Sequence, residues 1–313
     1  MNASTPTRLR VDAARAGQTL SAVVRAMLPE GSSWRQAREL CKYGKVRRNG
    51  QIERDAALRL LKDDEVEIDP TAPRLREHAL DDASVIYLDR QIVVVNKPAG
   101  LLSVPFDEGD RNTLADRVRF WLRRKDGGGS ELGVVQRLDK DTTGLLVFAR
   151  SLVAKRALQQ LFRRHTIERR YLAIAHGDVN AARFESDLIA DRGDGLRGSF
   201  GHFRRPRGPL PREAQHAITE VRPIERLHGA SLIECRLETG RQHQIRIHLS
   251  EAGHPLVGEP VYTRDFSGKL IAAARPMLHA AVLGFEHPSQ GRPMHFEEPP
   301  PPDFEAMLTR LRT

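Results

Sequence analysis

Two segments carry side chains whose types and spacing suit chemistry. In residues 133–151, GVVQRLDKDTTGLLVFARS, Asp139 stands two positions after Arg137, inside a polar run enclosed by two apolar ones. The Val-, Leu- and Phe-rich flanks, 133–135 and 145–149, predict buried strands, and Asp-x-x-x-x-Gly predicts the loop between them. A carboxylate beside a guanidinium on rigid strands can serve as nucleophile or general base, because the cation favours its ionised form against the desolvation of burial. In residues 238–253, ETGRQHQIRIHLSEAG, Arg241, His243, Arg246 and His248 follow a strand predicted over 230–237. Thr239 is placed to cap a helix that Gly253 ends. A five-residue spacing on that helix sets the two histidines about 140° apart. No carboxylate is patterned with them, so they are read as packing or hydrogen-bonding groups and no metal site is expected.

The chain that must position these groups has 313 residues, room for two domains and an ordinary core. Fifty Lys and Arg against 41 Asp and Glu give a net charge of +9 and a pI of about 10.0, which favours a polyanionic partner, nucleic acid before membrane. The two cysteines, Cys41 and Cys235, lack paired spacing, so a reducing cytoplasm is expected and a disulfide or zinc framework is not. The N-terminus has no apolar core of an export signal, and no run approaches the roughly 18 apolar residues of a membrane span.

Residues 1–17 are polar and predict a flexible N-terminus. A helix is predicted over 20–28, stopped by Pro29, and a second over 34–43, capped by Ser32 or Ser33, with Trp34, Ala37, Leu40 and Cys41 on its apolar face. Gly44 ends it, and a strand–turn–strand around Asn49-Gly50 follows. Residues 70–84, with two prolines and many charges, read as a linker. Two strands within 85–97 then stop at Pro98, which cannot continue a ladder. An amphipathic helix is predicted over 113–124, and a glycine-rich loop over 126–130. Ser151 can cap a helix with Leu152, Ala154, Leu158, Leu161 and Phe162 inward. The strand 169–175 puts Tyr171, Ala173 and Ala175 on one face. Residues 193–212 are basic and rich in Gly and Pro. Their formal G-x-G-x-x-G is not a dinucleotide site, because no strand leads in and Pro206, Pro209 and Pro211 forbid a following helix. This segment is read as a basic loop at RNA or a plain irregular one.

The segment Gln136-Arg137-Leu138-Asp139 through Thr142-Thr143-Gly144-Leu145-Leu146 closely resembles the signature of the RluA-type pseudouridine synthases, His-Arg-Leu-Asp-x-x-Thr-Ser-Gly-Leu-Leu, departing at Gln136 and Thr143. A second signature, Thr-Gly-Arg-x-His-Gln-Ile-Arg with a downstream Gly-His-Pro-x-x-Gly-Glu-Pro-x-Tyr, is intact over 239–246 and 253–262, and Asn96-Lys97-Pro98-Ala99-Gly100 is the usual opening of the catalytic domain. The resemblance implies that Asp139 is the catalytic residue, Arg246 its paired arginine and Tyr171 the surface on which the target base stacks. Arg137, Thr142, Arg241, His243 and Gln244 are assigned with it to substrate contact. Residues 18–69 resemble the S4 RNA-binding domain, which would turn Arg35, Arg38, Lys42, Lys45, Arg47 and Arg48 toward RNA phosphates, as positioning rather than base-reading contacts. The domains expected are thus a flexible N-terminus (1–17), an S4-like domain (18–69), a linker (70–84) and a catalytic domain (85–313). The implied fold is α/β (α+β), a mixed, largely antiparallel central sheet preceded by a small S4-like α/β domain.

Making pseudouridine breaks the uridine N1–C1′ bond, turns the base and rejoins it through C5. This requires an ionised carboxylate and neither cofactor nor metal. The sequence leaves open whether Asp139 attacks C6 or C1′, or acts as base at C2′. A uridine in structured RNA must also leave its stack, at a cost of a few kcal/mol, and Arg137 is placed to fill the vacated space. The expected partner is RNA, ribosomal ahead of tRNA, with the chain acting as a cytoplasmic monomer. A rival reading is an inactive RNA-binding or ribosome-assembly factor on the same scaffold, kept open by Gln136.

Overall fold

The computed structural model describes residues 6–72, 80–107, 110, 112–127, 132–205, 208–264 and 266–313. The chain divides between residues 79 and 80 into two compact units.

In the first unit the order is β1 (Thr7–Arg10), α1 (Leu20–Met27), α2 (Trp34–Lys42), β2 (Val46–Arg48), β3 (Gln51–Ile52) and β4 (Glu65–Ile68), with an antiparallel sheet of order β1-β4-β2-β3. Thr19 caps α1, and Ser33 with Gln36 forms a capping box on α2, each satisfying backbone N–H groups that a helix start leaves free. Leu20, Val23 and Val24 of α1 meet Ala37 and Cys41 of α2 over Val46, Val66 and Ile68. Of the flexible N-terminus expected over 1–17, residues 1–5 lie outside the described residues, and the rest is corrected. Residues 7–10 pair with 65–68, because alternation in Thr-Arg-Leu-Arg-Val turns Leu9 and Val11 to this core. Trp34, expected on the apolar face, stands in the first turn of α2 outside the core, 46% exposed, with the Arg25 guanidinium 4.7 Å from its ring centroid.

Of the expected linker 70–84, residues 73–79 lie outside the described residues. Its last part is corrected: Leu80 is buried in the core of the second unit, and Asp82–Ser84 form a short 3-10 turn whose Asp82 accepts from Trp121 Nε1. Residues 128–130 of the expected glycine-rich loop likewise lie outside the described residues, after Gly127 ends its helix in the left-handed conformation.

The second unit carries β5 (Val85–Leu88), β6 (Ile92–Lys97), α3 (Leu114–Asp126), β7 (Gly133–Val134), β8 (Thr143–Ala149), α4 (Leu152–Arg163), β9 (Glu168–His176), β10 (Ala182–Ile189), β11 (Gly198–Ser199), β12 (Gln215–Leu227), β13 (Ala230–Leu237), α5 (Gln244–Glu251), β14 (Leu278–Glu286), β15 (Pro293–Glu297) and α6 (Pro302–Arg312). Eleven strands form one sheet, β11-β10-β12-β13-β9-β14-β8-β6-β5, with β15 beside β14 and β7 beside β8. Among the described residues β14 and β8 are its one parallel pair, so the sheet is mixed and largely antiparallel.

Its centre is buried on both faces, which is why β6 and β8 read as continuous apolar runs. Val93, Val95, Leu146 and Phe148 join Leu114, Val118 and Leu122 of α3 on one side, while Ile92, Val94, Leu145 and Val147 join Ala154 and Leu158 of α4 on the other. Leu152, expected inward, is exposed on the first turn of α4. On the far side α6 lays Phe304, Met307, Leu308 and Leu311 against Ile174, Val257 and Met277.

Candidate active site

Asp139 lies in the loop between β7 and β8, which pair with each other as the sequence predicts, Gly133 with Ala149 and Val134 with Phe148. The Thr142 N–H closes the loop by donating to the Asp139 carbonyl (3.1 Å). Gly144 follows at φ +110°, beside Ala280 of β14, where a Cβ would lie 2.2 Å from the Ala280 carbonyl oxygen. The chain can leave the loop at this angle only as glycine. A cavity of about 550 Å³ opens above the loop, lined by residues 134–139, by Tyr171 and Arg169 of β9, and by residues 240–246.

The 239–246 segment supplies the second wall. Arg246, in the first turn of α5, places Nη1 3.7 Å from Asp139 Oδ2. Its other edge is gripped by Glu259, at 2.8 Å (Nε) and 2.6 Å (Nη2). Burial raises the Glu259 pKa, but the Arg246 bonds and charge, with the Val261 and Tyr262 amides, outweigh it and hold the carboxyl below its usual range. His243 sits at the start of α5 in a left-handed conformation (φ 58°), with Nδ1 2.7 Å from Tyr262 Oη and Nε2 4.0 Å from Asp139 Oδ2. Burial, opposed by the Asp139 charge, lowers its pKa, so the ring is mainly neutral at pH 7. Burial pushes the Tyr262 hydroxyl up to about 12, and this protonated phenol shares the hydrogen bond with His243 Nδ1. A non-glycine residue in this conformation is a strained backbone of the kind that clusters at reactive sites.

Tyr171 forms the floor, buried in the same core as Ala173 and Ala175, and burial pushes its hydroxyl up to about 12. Arg137 is exposed at the cavity edge. Arg241 lines the cavity while its Nε donates to the His216 carbonyl (2.9 Å), so it also orders the turn. Gln244 is corrected as a substrate contact. Its Oε1 accepts from Thr239 Oγ1 and Arg241 N–H, its Nε2 donates to Ile218 O and Thr219 Oγ1, and the amide is thereby fully engaged in holding the turn. Thr239 does not cap α5: its Oγ1 accepts from Ile218 N–H, and the helix starts only at Gln244. His248 is bonded to Thr219 and Ser186, and among the described residues no three His, Cys, Asp or Glu side chains converge as metal ligands.

Three supports of the Asp139 loop carry no local sequence signal. Ser103 Oγ donates to the Leu138 carbonyl (2.8 Å) and accepts from the Leu138 N–H. The fully buried Lys97 Nζ donates to the carbonyls of Lys140 (2.7 Å), Leu101 (2.7 Å) and Pro98 (2.9 Å), three acceptors for the three protons of an ammonium. Burial pulls its pKa down to about 7 against the raising charges of Asp141 and Asp139. Arg275 Nη1 donates to the Asp141 carbonyl (3.1 Å), and its Nε and Nη2 pair with Asp303 of α6 at 2.7 and 3.0 Å. The Leu138, Lys140 and Asp141 carbonyls are thus each tied by a side chain from a different segment. Gln136 lines the cavity with its Nε2 buried and without a hydrogen-bond partner.

In the first unit, the basic residues read from sequence separate into two groups. Arg35, Arg38 and Lys42 share one face of α2, Arg35 beside Glu39 (3.1 Å) and Arg38 bonded to the Trp34 carbonyl, and Arg47 is exposed on β2. Arg48 and Lys45 are corrected as RNA contacts. Arg48 Nε is paired with the buried Asp64 (2.8 Å), and the Lys45 ammonium is bound to the Pro70 carbonyl.

The sequence and fold have close relatives. The family described as RNA pseudouridylate synthase matches residues 91–251. Ribosomal large subunit pseudouridine synthase D of Zymomonas mobilis is 36% identical over 272 residues, 84% of each chain. The uncharacterized RNA pseudouridine synthase YlyB of Bacillus subtilis is 32% identical over 287 residues, 88% of this chain and 89% of that one. The solved structure of human RNA pseudouridylate synthase domain containing 4 shares the fold at a TM-score of 0.59 and 23% identity, over 74% of this chain and 93% of that one. The chain therefore belongs to the RNA pseudouridylate synthase family, enzymes that isomerise uridine to pseudouridine in RNA.

Proposed function

We propose that this enzyme acts on uridine in large-subunit ribosomal RNA, with Asp139 as the reacting carboxylate. The observation that carries the assignment is Arg246 Nη1, 3.7 Å from Asp139 Oδ2 and held there by Glu259, at the mouth of a cavity floored by Tyr171. In this reading the uridine is turned out of its stack, its ring lies on Tyr171, and Arg137 at the cavity edge takes the space it leaves. Arg246 and His243 orient the carboxylate. The choice of ribosomal RNA rests on the named activity of the Zymomonas relative. Its net charge of +9 suits the same substrate.

Residues 6–72 are read as an S4-like unit that grips RNA phosphates through Arg35, Arg38, Lys42 and Arg47, and the chain as a monomer working in the cytoplasm. Among the described residues no helix is long and apolar enough to cross a membrane.

The test is Asp139→Asn with tritium-labelled ribosomal RNA. The wild type releases tritium from uridine C5 and leaves carbodiimide-reactive pseudouridine. The variant binds the RNA with unchanged affinity and forms none. Substantial pseudouridine from the Asn variant removes Asp139 from the chemistry, and none from the wild type supports a binding factor without activity.

A further inference from the structure

Three guanidiniums gather around one half-buried aromatic ring. Arg192, Arg204 and Arg264 lie 5.0, 5.3 and 4.7 Å from the Phe203 centroid. The ring's negative faces favour cations and hold the group together. Arg192 is the buried anchor, bound to Asp194 at 3.2 Å and 3.9 Å from Glu251 at the end of α5. Asp194 also lies 3.5 Å from Arg264, whose side chain is 60% exposed. The stem of Arg204 packs over Gly193, and its residue is exposed. Arg197 and Arg204 have no carboxylate at ion-pair distance among the described residues. Asp191, the remaining acid of this segment, accepts from the N–H groups of Gly193 and Gly195 and shapes the turn. The segment 191–204 with Glu251 and Arg264 thus carries four arginines and three carboxylates.

The cluster is continuous with the reaction site. Leu196 packs with Tyr262 and Ile247, and Tyr262 is the residue that holds His243. Arg197 follows Leu196, and Arg264 lies two residues beyond Tyr262. The charge of Arg197 is felt at both His243 and Tyr262, in each case lowering the pKa.

We propose that Arg197, Arg204 and Arg264 form a phosphate-binding station for the RNA strand flanking the uridine in the Asp139 cavity. Guanidiniums fit phosphate oxygens bidentately, and an excess of cations fixed by an aromatic ring and a buried Arg–Asp pair is prepared for an anion before it arrives. Arg192 and Phe203 serve as its frame and do not touch RNA. The assignment rests on the RNA reading above and extends it to the segment 192–204 and Arg264.

The experiment compares the wild type, the R197Q/R204Q/R264Q variant and the corresponding triple lysine variant on transcribed large-subunit ribosomal RNA. Binding is measured without turnover as a function of salt. Loss of three phosphate contacts lowers the slope of log Kd against log salt by about 2 and weakens binding at least ~10-fold at 0.1 M salt. The glutamine variant raises KM with kcat at saturating RNA within about twofold, and the lysine variant keeps the wild-type slope. Melting curves of the glutamine variant keep one cooperative transition well above the assay temperature, because the buried Arg192–Asp194 pair is untouched. An unchanged slope and Kd in the glutamine variant overturns the station, as does a fall in kcat alone. The binding measurement needs no catalysis, so a wild type that forms no pseudouridine counts against the Asp139 assignment and leaves this test intact.

Discussion

Glu259, with no exposed side-chain surface, holds Arg246 through two bonds of 2.8 and 2.6 Å and leaves Nη1 as the edge that meets Asp139. The carboxylate therefore acts on the reaction through the arginine. Glu259→Gln keeps the shape and removes the charge, so kcat is expected to fall about 10- to 100-fold while RNA affinity stays unchanged. Arg246→Gln and the double variant should lose about as much as each other, the non-additivity of groups acting as a unit. Single-turnover rates across the cycle check this. Additive losses would separate the two residues.

Lys97 ties three carbonyls, one of them in the catalytic loop. Lys97→Met leaves three carbonyls without their donor, at about 1–3 kcal/mol for the buried Leu101 carbonyl alone. The expected result is a kcat at least ~10-fold lower with unchanged RNA binding, and faster amide hydrogen exchange over 136–142. A variant as active as the wild type would show that the loop keeps its shape without the ammonium.

Gly144→Ala puts a methyl group 2.2 Å from a backbone oxygen at a φ of +110°. Neither atom can yield without moving β8 from β14, so a loss of about 3–5 kcal/mol is expected from strain and overlap together. Urea unfolding of the two proteins measures it. A loss below about 1 kcal/mol would mean that the parallel β8–β14 contact is looser than described.

His248 is buried between Thr219 and Ser186, and burial pulls its pKa down to about 4. An unfolded chain takes up a proton at the ordinary value near 6.5. Between the two the unfolded state binds more protons, so stability is full above about pH 6.5 and falls as the pH drops toward 4, by up to about 3 kcal/mol from this residue. His248→Gln should flatten that part of the curve, and melting the pair at pH 7 and pH 4.5 tests the sign.

The residues around the cavity were legible because they share short segments. Arg137 and Asp139 lie within one loop, Arg241 to Arg246 within one turn and helix start, and the alternation of β9 puts Tyr171 inward. Glu259 lay within a recognised motif, but its role depends on a bond to Arg246 that no spacing announces. Lys97 reads as part of a turn, and Arg275 sits in no pattern, since beside the local carbonyls of Pro276 and Leu278 its acceptors come from residues 141 and 303. The opposite error has the same origin. Arg48 and Lys45 look available in a basic stretch, yet the partners that occupy them, Asp64 and Pro70, are 16 and 25 residues away. Gln244 was read as a substrate ligand because its four partners come from β12, Thr239 and Arg241, which only the fold brings around it.

The link from Asp303 through Arg275 to the Asp141 carbonyl gives the reaction loop a dependence on the order of synthesis. Residues 136–144 leave the ribosome early, but their last clamp is anchored on the first turn of α6, more than half the chain later. A chain that stops between residues 279 and 302 carries every residue facing the cavity and lacks the carboxylate that anchors the Arg275 brace on their backbone.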